Sequence, residues 1–170
     1  ALDNGVKGGK WYSLMDKVYA RGTLETAWQR VRANAGASGV DRMSVEIFAA
    51  QAQRYLTEMS QALREGAYEP QAVRRVNIPK AGGGQRPLGI PTVKDRVVQA
   101  ALKSVLEPIF EREFLDSSYG FRPQRGCKDA LREVQRHLDA GRVWVVDADL
   151  KSYFDTLSHE RLMDKLKRRV

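Results

Sequence analysis

Two groups of residues could do chemistry. The first is Asp147-Ala148-Asp149, which follows the apolar run Val143-Trp144-Val145-Val146. A short β-prone apolar run fits a buried strand, and alternation along it puts both carboxylates on one face at the carboxyl end. Carboxylates there suit Mg²⁺, which takes hard oxygen ligands and keeps water and substrate phosphates in its octahedral shell. The plain alternative is a solvated strand end or surface salt bridges. The second group is cationic. Residues 71–103 carry Arg74, Arg75, Lys80, Arg86, Lys94, Arg96 and Lys103 against Asp95 alone, and so hold most of the net charge of +8. A solvated face usually mixes signs, so this stretch reads as a phosphate-binding patch rather than a merely soluble surface.

The elements that must position these groups follow from periodicity. Trp11, Leu14, Met15, Val18 and Tyr19 recur at helical spacing before Gly22, and Leu24, Ala27, Trp28 and Val31 repeat the pattern from a Thr23 cap. Residues 33–41 are small and contain Gly36 and Gly39, which predicts an exposed loop whose backbone can approach another chain closely. Ser44 caps a longer helix through Phe48, Ala52, Tyr55, Leu56, Met59 and Leu63 that stops at Gly66. Residues 72–91 alternate like a β-hairpin with a mobile, cationic, glycine-rich tip at Gly82-Gly83-Gly84. Thr92 and Asp95 form a capping-box pattern ahead of a helix carrying Val97, Val98, Ala101, Leu102, Val105 and Leu106, which Pro108 interrupts. Past the turn at 116–123 a helix runs to about Leu138 and ends near Gly141, and after the carboxylates Ser158 caps an amphipathic helix with Leu162, Met163 and Leu166.

Composition bounds the class. The 170 residues suit one modest domain, and 42% hydrophobic with 29% charged residues is ordinary globular usage, which argues against wholesale disorder or a membrane span. The start, Ala1 to Lys10, lacks the apolar core of a signal peptide, so a cytoplasmic setting is the expectation. The single cysteine, Cys127, has no zinc-ligand companions and reads as a small helical residue.

Four strings carry a resemblance: Gly36-Ala37-Ser38-Gly39-Val40-Asp41, then Ile78-Pro79-Lys80 with Arg86-Pro87-Leu88-Gly89-Ile90-Pro91, then Tyr119-Gly120-Phe121-Arg122-Pro123, and Asp149-Leu150-Lys151-Ser152-Tyr153-Phe154-Asp155. In this order and at these separations, from about Leu24 onward, they resemble the amino-terminal part of a group II intron reverse transcriptase, or intron-encoded maturase. The resemblance implies an α+β fold: helical fingers with an antiparallel β-hairpin over 1–140, leading into a truncated right-hand polymerase palm over 141–170. Asp149 matches the first catalytic aspartate, which holds two Mg²⁺ ions with the backbone carbonyl of Leu150, while Asp147 is the weaker candidate. Arg74 and Lys80 match residues that grip the dNTP triphosphate, with Lys80 the firmer assignment. Phe154 matches the steric gate against a 2′-hydroxyl, with a core phenylalanine as its plain alternative. Arg86, Pro87, Tyr119, Gly120 and Arg122 match template contacts, their plain role being packing and hairpin geometry. Gly36, Ser38 and Gly39 lie in the loop that covers template RNA.

The family's later Tyr-x-Asp-Asp string is absent, and only Asp155, Glu160 and Asp164 follow Asp149 as carboxylates. The expectation is therefore a fragment of an RNA-directed DNA polymerase that does not polymerise alone and does not retain its metal ions. Its implied partners are RNA template, DNA or RNA primer, dNTPs and group II intron RNA, with no membrane. A palm strand without sheet partners favours a homodimer or strand-swapped assembly. The alternatives are an RNA-binding module without catalysis, or a related retroelement, defence or CRISPR-associated reverse transcriptase.

Overall fold

A computed structural model of the chain describes residues 6–7, 10–11 and 13–170. The elements, in order, are β1 (Val6–Lys7), β2 (Lys10–Trp11), α1 (Met15–Tyr19), α2 (Arg21–Asn34), α3 (Val45–Ala50), α4 (Ala52–Arg64), β3 (Arg74–Pro79), β4 (Gln85–Ile90), α5 (Val93–Phe110), a 3₁₀ turn (Glu111–Glu113), α6 (Cys127–Asp139), α7 (Tyr153–Thr156) and α8 (His159–Lys167). Residues Trp11–Pro108 belong to one compact unit and Ile109–Val170 to a second. The chain is thus mixed helical with a small antiparallel two-stranded sheet, β3 with β4. Among the described residues no helix is long and apolar enough to cross a membrane.

The core of the first unit gathers one face of each helix. Val18 of α1, Leu24, Trp28 and Val31 of α2, Phe48 of α3, Leu56 and Met59 of α4, and Val93, Val97 and Ala101 of α5 are buried together. Trp28 and Phe48 stack with ring centroids 4.5 Å apart, and Phe48 reaches Tyr55 at 5.1 Å. The expected helix over 44–66 is two helices, because Gln51 (φ −131°, ψ 26°) breaks the backbone between α3 and α4. Its ends are as expected: Ser44 accepts from the Ile47 amide at 3.3 Å, and Gly66 stops the chain at φ +69°. Trp11 sits in β2 rather than on α1, and Thr23 lies inside α2, since the bend falls earlier, at Ala20 (φ −55°, ψ 133°). Pro108 does not interrupt α5 but falls in its last turn, where the missing N–H removes one hydrogen bond and the helix ends two residues later.

The start of α5 organises the unit. Asp95 is 4% exposed. Its carboxylate accepts from the Tyr68 hydroxyl at 2.7 Å, the Thr92 hydroxyl at 2.6 Å and the Gln71 amide at 3.3 Å, while the Asp95 amide donates back to Thr92 Oγ1 at 3.1 Å. A buried carboxylate is tolerated only when its lone pairs are occupied in this way. The network fixes where the chain enters β3, three residues past Gln71. Burial first, then the hydrogen bond and negative charge of Asp95, push the Tyr68 phenol well above its ordinary pKa, so it remains a donor at physiological pH.

In the second unit the expected buried strand does not form. Residues 142–150 have no regular structure, and Trp144 is 94% exposed, with Val143, Val145 and Val146 also exposed. A strand is defined by its ladder partners, and no described segment pairs with this one, so high β-propensity alone leaves it irregular and exposed to solvent.

Tyr68→Phe is expected to cost about 1.5–3 kcal/mol, the usual range for a hydrogen bond to a charged group. Urea unfolding followed by tryptophan fluorescence measures it, and a midpoint equal to that of the unaltered chain would remove Asp95 from its central role.

Candidate nucleic-acid interface

Pairing in the hairpin runs Arg74 with Ile90, Val76 with Leu88 and Ile78 with Arg86 on one face, and Arg75 with Gly89, Asn77 with Pro87 and Pro79 with Gln85 on the other. Arg74 and Arg86 therefore share a face, roughly 13 Å apart along the strand at about 3.3 Å per residue. Arg75 lies opposite and exposed, as the alternation predicts. Gly89 is required by close approach, since a Cβ there would come within 2.9 Å of Val73 Cγ2. At the tip the Lys80 amide donates to Gly84 O and the Gly83 amide to Lys80 O, both at 3.1 Å. Gly83 and Gly84 adopt φ +89° and +80°, which side-chain-bearing residues rarely do. Lys80, Arg75 and Arg86 stand exposed along this hairpin.

The loop at 35–41 is fixed by the scaffold rather than loose. Arg74 Nε donates to the Ser38 carbonyl at 2.9 Å. Arg96, from α5, donates through Nη1 to Ala35 O and through Nη2 to Ala37 O, both at 3.0 Å. Gly39 is buried, and a Cβ on it would lie 2.6 Å from Thr92 Cα, so only glycine lets the loop lie on the helix start. Gly36 has φ +99° and sits against Arg96. Thus Gly36, Ser38, Gly39 and Arg74 are brought together, held by Arg96, a residue the sequence placed only in a general basic patch. Burial pulls the Arg96 pKa down and nearby Asp41 pushes it back up. Behind the loop, Arg30, Asn34, Arg96, Gln99 and Lys103 help line a cleft of about 380 Å³. The basic stretch is therefore used in two ways: Lys94 sits 4.8 Å from the Tyr55 ring and Lys103 pairs with Glu107 at 3.3 Å, while the hairpin cations face solvent.

The second unit holds the remaining candidates. Arg122 is 6% exposed in its side chain. Its guanidinium donates to Glu111 Oε1 at 2.7 Å, to Leu115 O at 2.6 Å and to Ser118 O at 2.9 Å, which clamps the turn carrying Tyr119 and Gly120. Asp149 and Leu150 lie in the exposed irregular segment at 142–150. Phe154, in α7, is 82% exposed and makes an edge contact with Tyr153 at 5.4 Å between centroids, so it is not a core ring. Among the described residues no three Asp, Glu, His or Cys side chains come together as a metal site.

A family model described as reverse transcriptase (RNA-dependent DNA polymerase) matches residues 78–170. The chain belongs to the reverse transcriptase family. It is 43% identical to Protein YkfC of Escherichia coli (strain K12) over 136 residues, 78% of this chain and 36% of that protein. It is 39% identical to the group II intron-encoded protein LtrA of Lactococcus lactis subsp. cremoris over 140 residues, 81% of this chain and 23% of that protein. It is 38% identical to a nuclear intron maturase 2 of Arabidopsis thaliana over 77 residues, 45% of this chain and 10% of that protein. The chain thus spans about a third or less of the length of these relatives. The family match takes in the end of β3, the tip, β4, α5 and residues 109–170, including the Tyr119 turn and Asp149.

Glu111 is held below the usual carboxylate range, chiefly by its hydrogen bonds from Arg122. A folded pKa below the unfolded value gives stability that is present above the ordinary carboxylate pKa and lost as pH falls through the lowered value. Arg122→Gln is therefore expected to lower the thermal midpoint at pH 7, with the gap to the unaltered chain narrowing at pH 3. A gap of equal size at both pH values would contradict the role of the ion pair.

Proposed function

We propose that this chain supplies the fingers, residues 1–140, and the first palm segment, residues 141–170, of an RNA-directed DNA polymerase that acts with a group II intron. The observation that carries this reading is the assembly at one place of the 36–41 loop, Arg74 and the cationic hairpin, on a chain of this family. The names of the intron-encoded and maturase relatives favour intron RNA as a partner beside template and primer. A cytoplasmic setting is part of the same reading.

In this reading Arg74 and Lys80 bind the triphosphate of the incoming dNTP, because a guanidinium fork and a flexible ammonium suit phosphate oxygens. Gly36, Ser38 and Gly39 present backbone to the template, and Arg86 and Pro87 lie along it. Tyr119 and Gly120 complete the template track, with Arg122 acting through the turn it clamps. Asp149 and the Leu150 carbonyl are oxygen ligands for Mg²⁺ whose remaining partners are not among the described residues, and Phe154 is the gate against a 2′-hydroxyl. The exposed apolar run at 143–146 becomes a strand once a neighbour supplies a ladder, and a second copy of the chain can do so in isolation.

A second reading, an RNA-binding module without chemistry, rests on the exposed cations Arg75, Lys80 and Arg86 of the hairpin. Both readings require phosphate contacts. Single-stranded RNA binding by the chain is expected to weaken with salt, and each of Arg74→Gln, Lys80→Gln and Arg86→Gln to reduce the log–log slope by about 0.7. Slopes unchanged in all three would remove the hairpin from the interface.

For polymerase function, Asp149→Asn in an enzyme containing this chain is expected to abolish primer extension and leave template binding within about twofold, since it removes a ligand charge at nearly constant shape. Phe154→Ala is expected to relax dNTP over rNTP selectivity. Retained extension, or unchanged selectivity, would refute the respective role.

A further inference from the structure

The loop and the hairpin meet through a single guanidinium. Arg74 reaches the Ser38 carbonyl with Nε, which leaves the two Nη groups as a fork pointing away from the bonded edge. A carbonyl oxygen orients the arginine without neutralising it, so the full positive charge stays available for an anion. The carbonyl is itself fixed. Arg96 holds the carbonyls on the near side of the loop, Ala35 and Ala37, and Gly39 follows Ser38 directly and is seated on Thr92 with no room for a Cβ. The position of the Ser38 oxygen is therefore set by α5 and transmitted to Arg74 on β3, whose strand partner is β4.

We infer that the Ser38 carbonyl is the positioning contact that pre-aims the Arg74 guanidinium at a triphosphate, so that the loop expected to cover template also sets affinity for the incoming nucleotide. This rests on the reading of Arg74 as a triphosphate ligand and adds that Gly39 and Arg96, which are not themselves ligands of the triphosphate, act through it. A long flexible side chain loses rotamer freedom on binding a ligand, and holding it beforehand lessens that loss. Such coupling makes template engagement and nucleotide binding interdependent: whatever shifts the loop moves the fork. Because the contact uses backbone oxygen, the identity of the side chain at 38 is immaterial, whereas the absence of one at 39 is essential.

The test is titration of the chain with inorganic tripolyphosphate by isothermal calorimetry and by ¹⁵N NMR of arginine Nε–H groups. Arg74→Lys is expected to weaken binding about tenfold, because lysine offers neither the fork nor the Nε contact. Gly39→Ala is expected to weaken it three- to tenfold and to move the Arg74 Nε–H resonance toward that of a solvated arginine. Combined with Arg74→Lys it should add nothing further, whereas combined with Lys80→Ala, at the tip, its effect should add. If Gly39→Ala fails to fold, Arg96→Lys, which releases Ala35 and Ala37, replaces it with the same expectations. Additive losses for Gly39→Ala with Arg74→Lys, or an unmoved Arg74 resonance, overturn the coupling and leave Arg74 a triphosphate ligand. Unaltered chain that does not bind tripolyphosphate, or Arg74→Lys without effect, overturns the triphosphate reading itself and the coupling with it.

Discussion

The buried carboxylate of Asp95 is the constraint on which the first unit depends. With a hydroxyl from Tyr68, a hydroxyl from Thr92 and the Gln71 amide donated to it, Asp95 ties the chain leaving α4, the chain approaching β3 and the first turn of α5 to one point. An ionised group inside an apolar core must keep its donors, so none of these three segments can shift independently. Thr92, one of the donors, is also the surface on which Gly39 rests, and Arg96, one residue beyond Asp95, holds the loop carbonyls. Three residues at the start of α5, Thr92, Asp95 and Arg96, thereby set both the hairpin base and the loop, and their geometry is inherited by everything the hairpin presents.

The arginines divide by what they meet. Arg74 and Arg96 donate to backbone carbonyls, which orient the cation while preserving its charge, and they sit beside the cationic hairpin. Arg122 instead meets a carboxylate, Glu111, together with two carbonyls, and its charge is locally balanced. The first arrangement leaves a field for a polyanion. The second builds a rigid turn. Lysine could do neither with the same geometry, since its ammonium cannot spread donors over two carbonyls at the spacing that Arg96 spans. The excess positive charge between residues 71 and 103 is thus partly structural, and the portion that the hairpin presents to solvent is at Arg75, Lys80 and Arg86.

Local patterns in the sequence carried over where the stabilising partner is local. The Ser44 and Ser158 caps, the stops at Gly66 and Gly141, the 72–91 hairpin with its glycine tip, and the Thr92 and Asp95 capping pair all satisfy their hydrogen bonds within a few residues. Periodicity did not reveal the break at Gln51, because α3 and α4 keep the same apolar face on either side of it and Phe48 and Tyr55 still touch. Nor could composition show that Arg96 and Arg74 face a loop more than thirty residues away, since charge counts carry no direction. Gly39 was legible as a site of close approach, but not that the approach is to Thr92.

The contrast between the two predicted β segments states the same limit more sharply. Residues 74–90 contain both strands of their ladder, so a two-residue-period pattern and a glycine turn suffice, and the hairpin forms. Residues 143–146 are the more apolar and more β-prone run, yet they remain exposed, because no described segment pairs with them and a strand needs a ladder partner. Asp149 inherits that dependence. A carboxylate becomes a metal ligand only when backbone geometry holds it beside others, and strand pairing is the device that would do so here. The catalytic part of the reverse transcriptase reading is therefore a non-local property, whereas the placement of the hairpin against its loop is built from contacts the chain already contains.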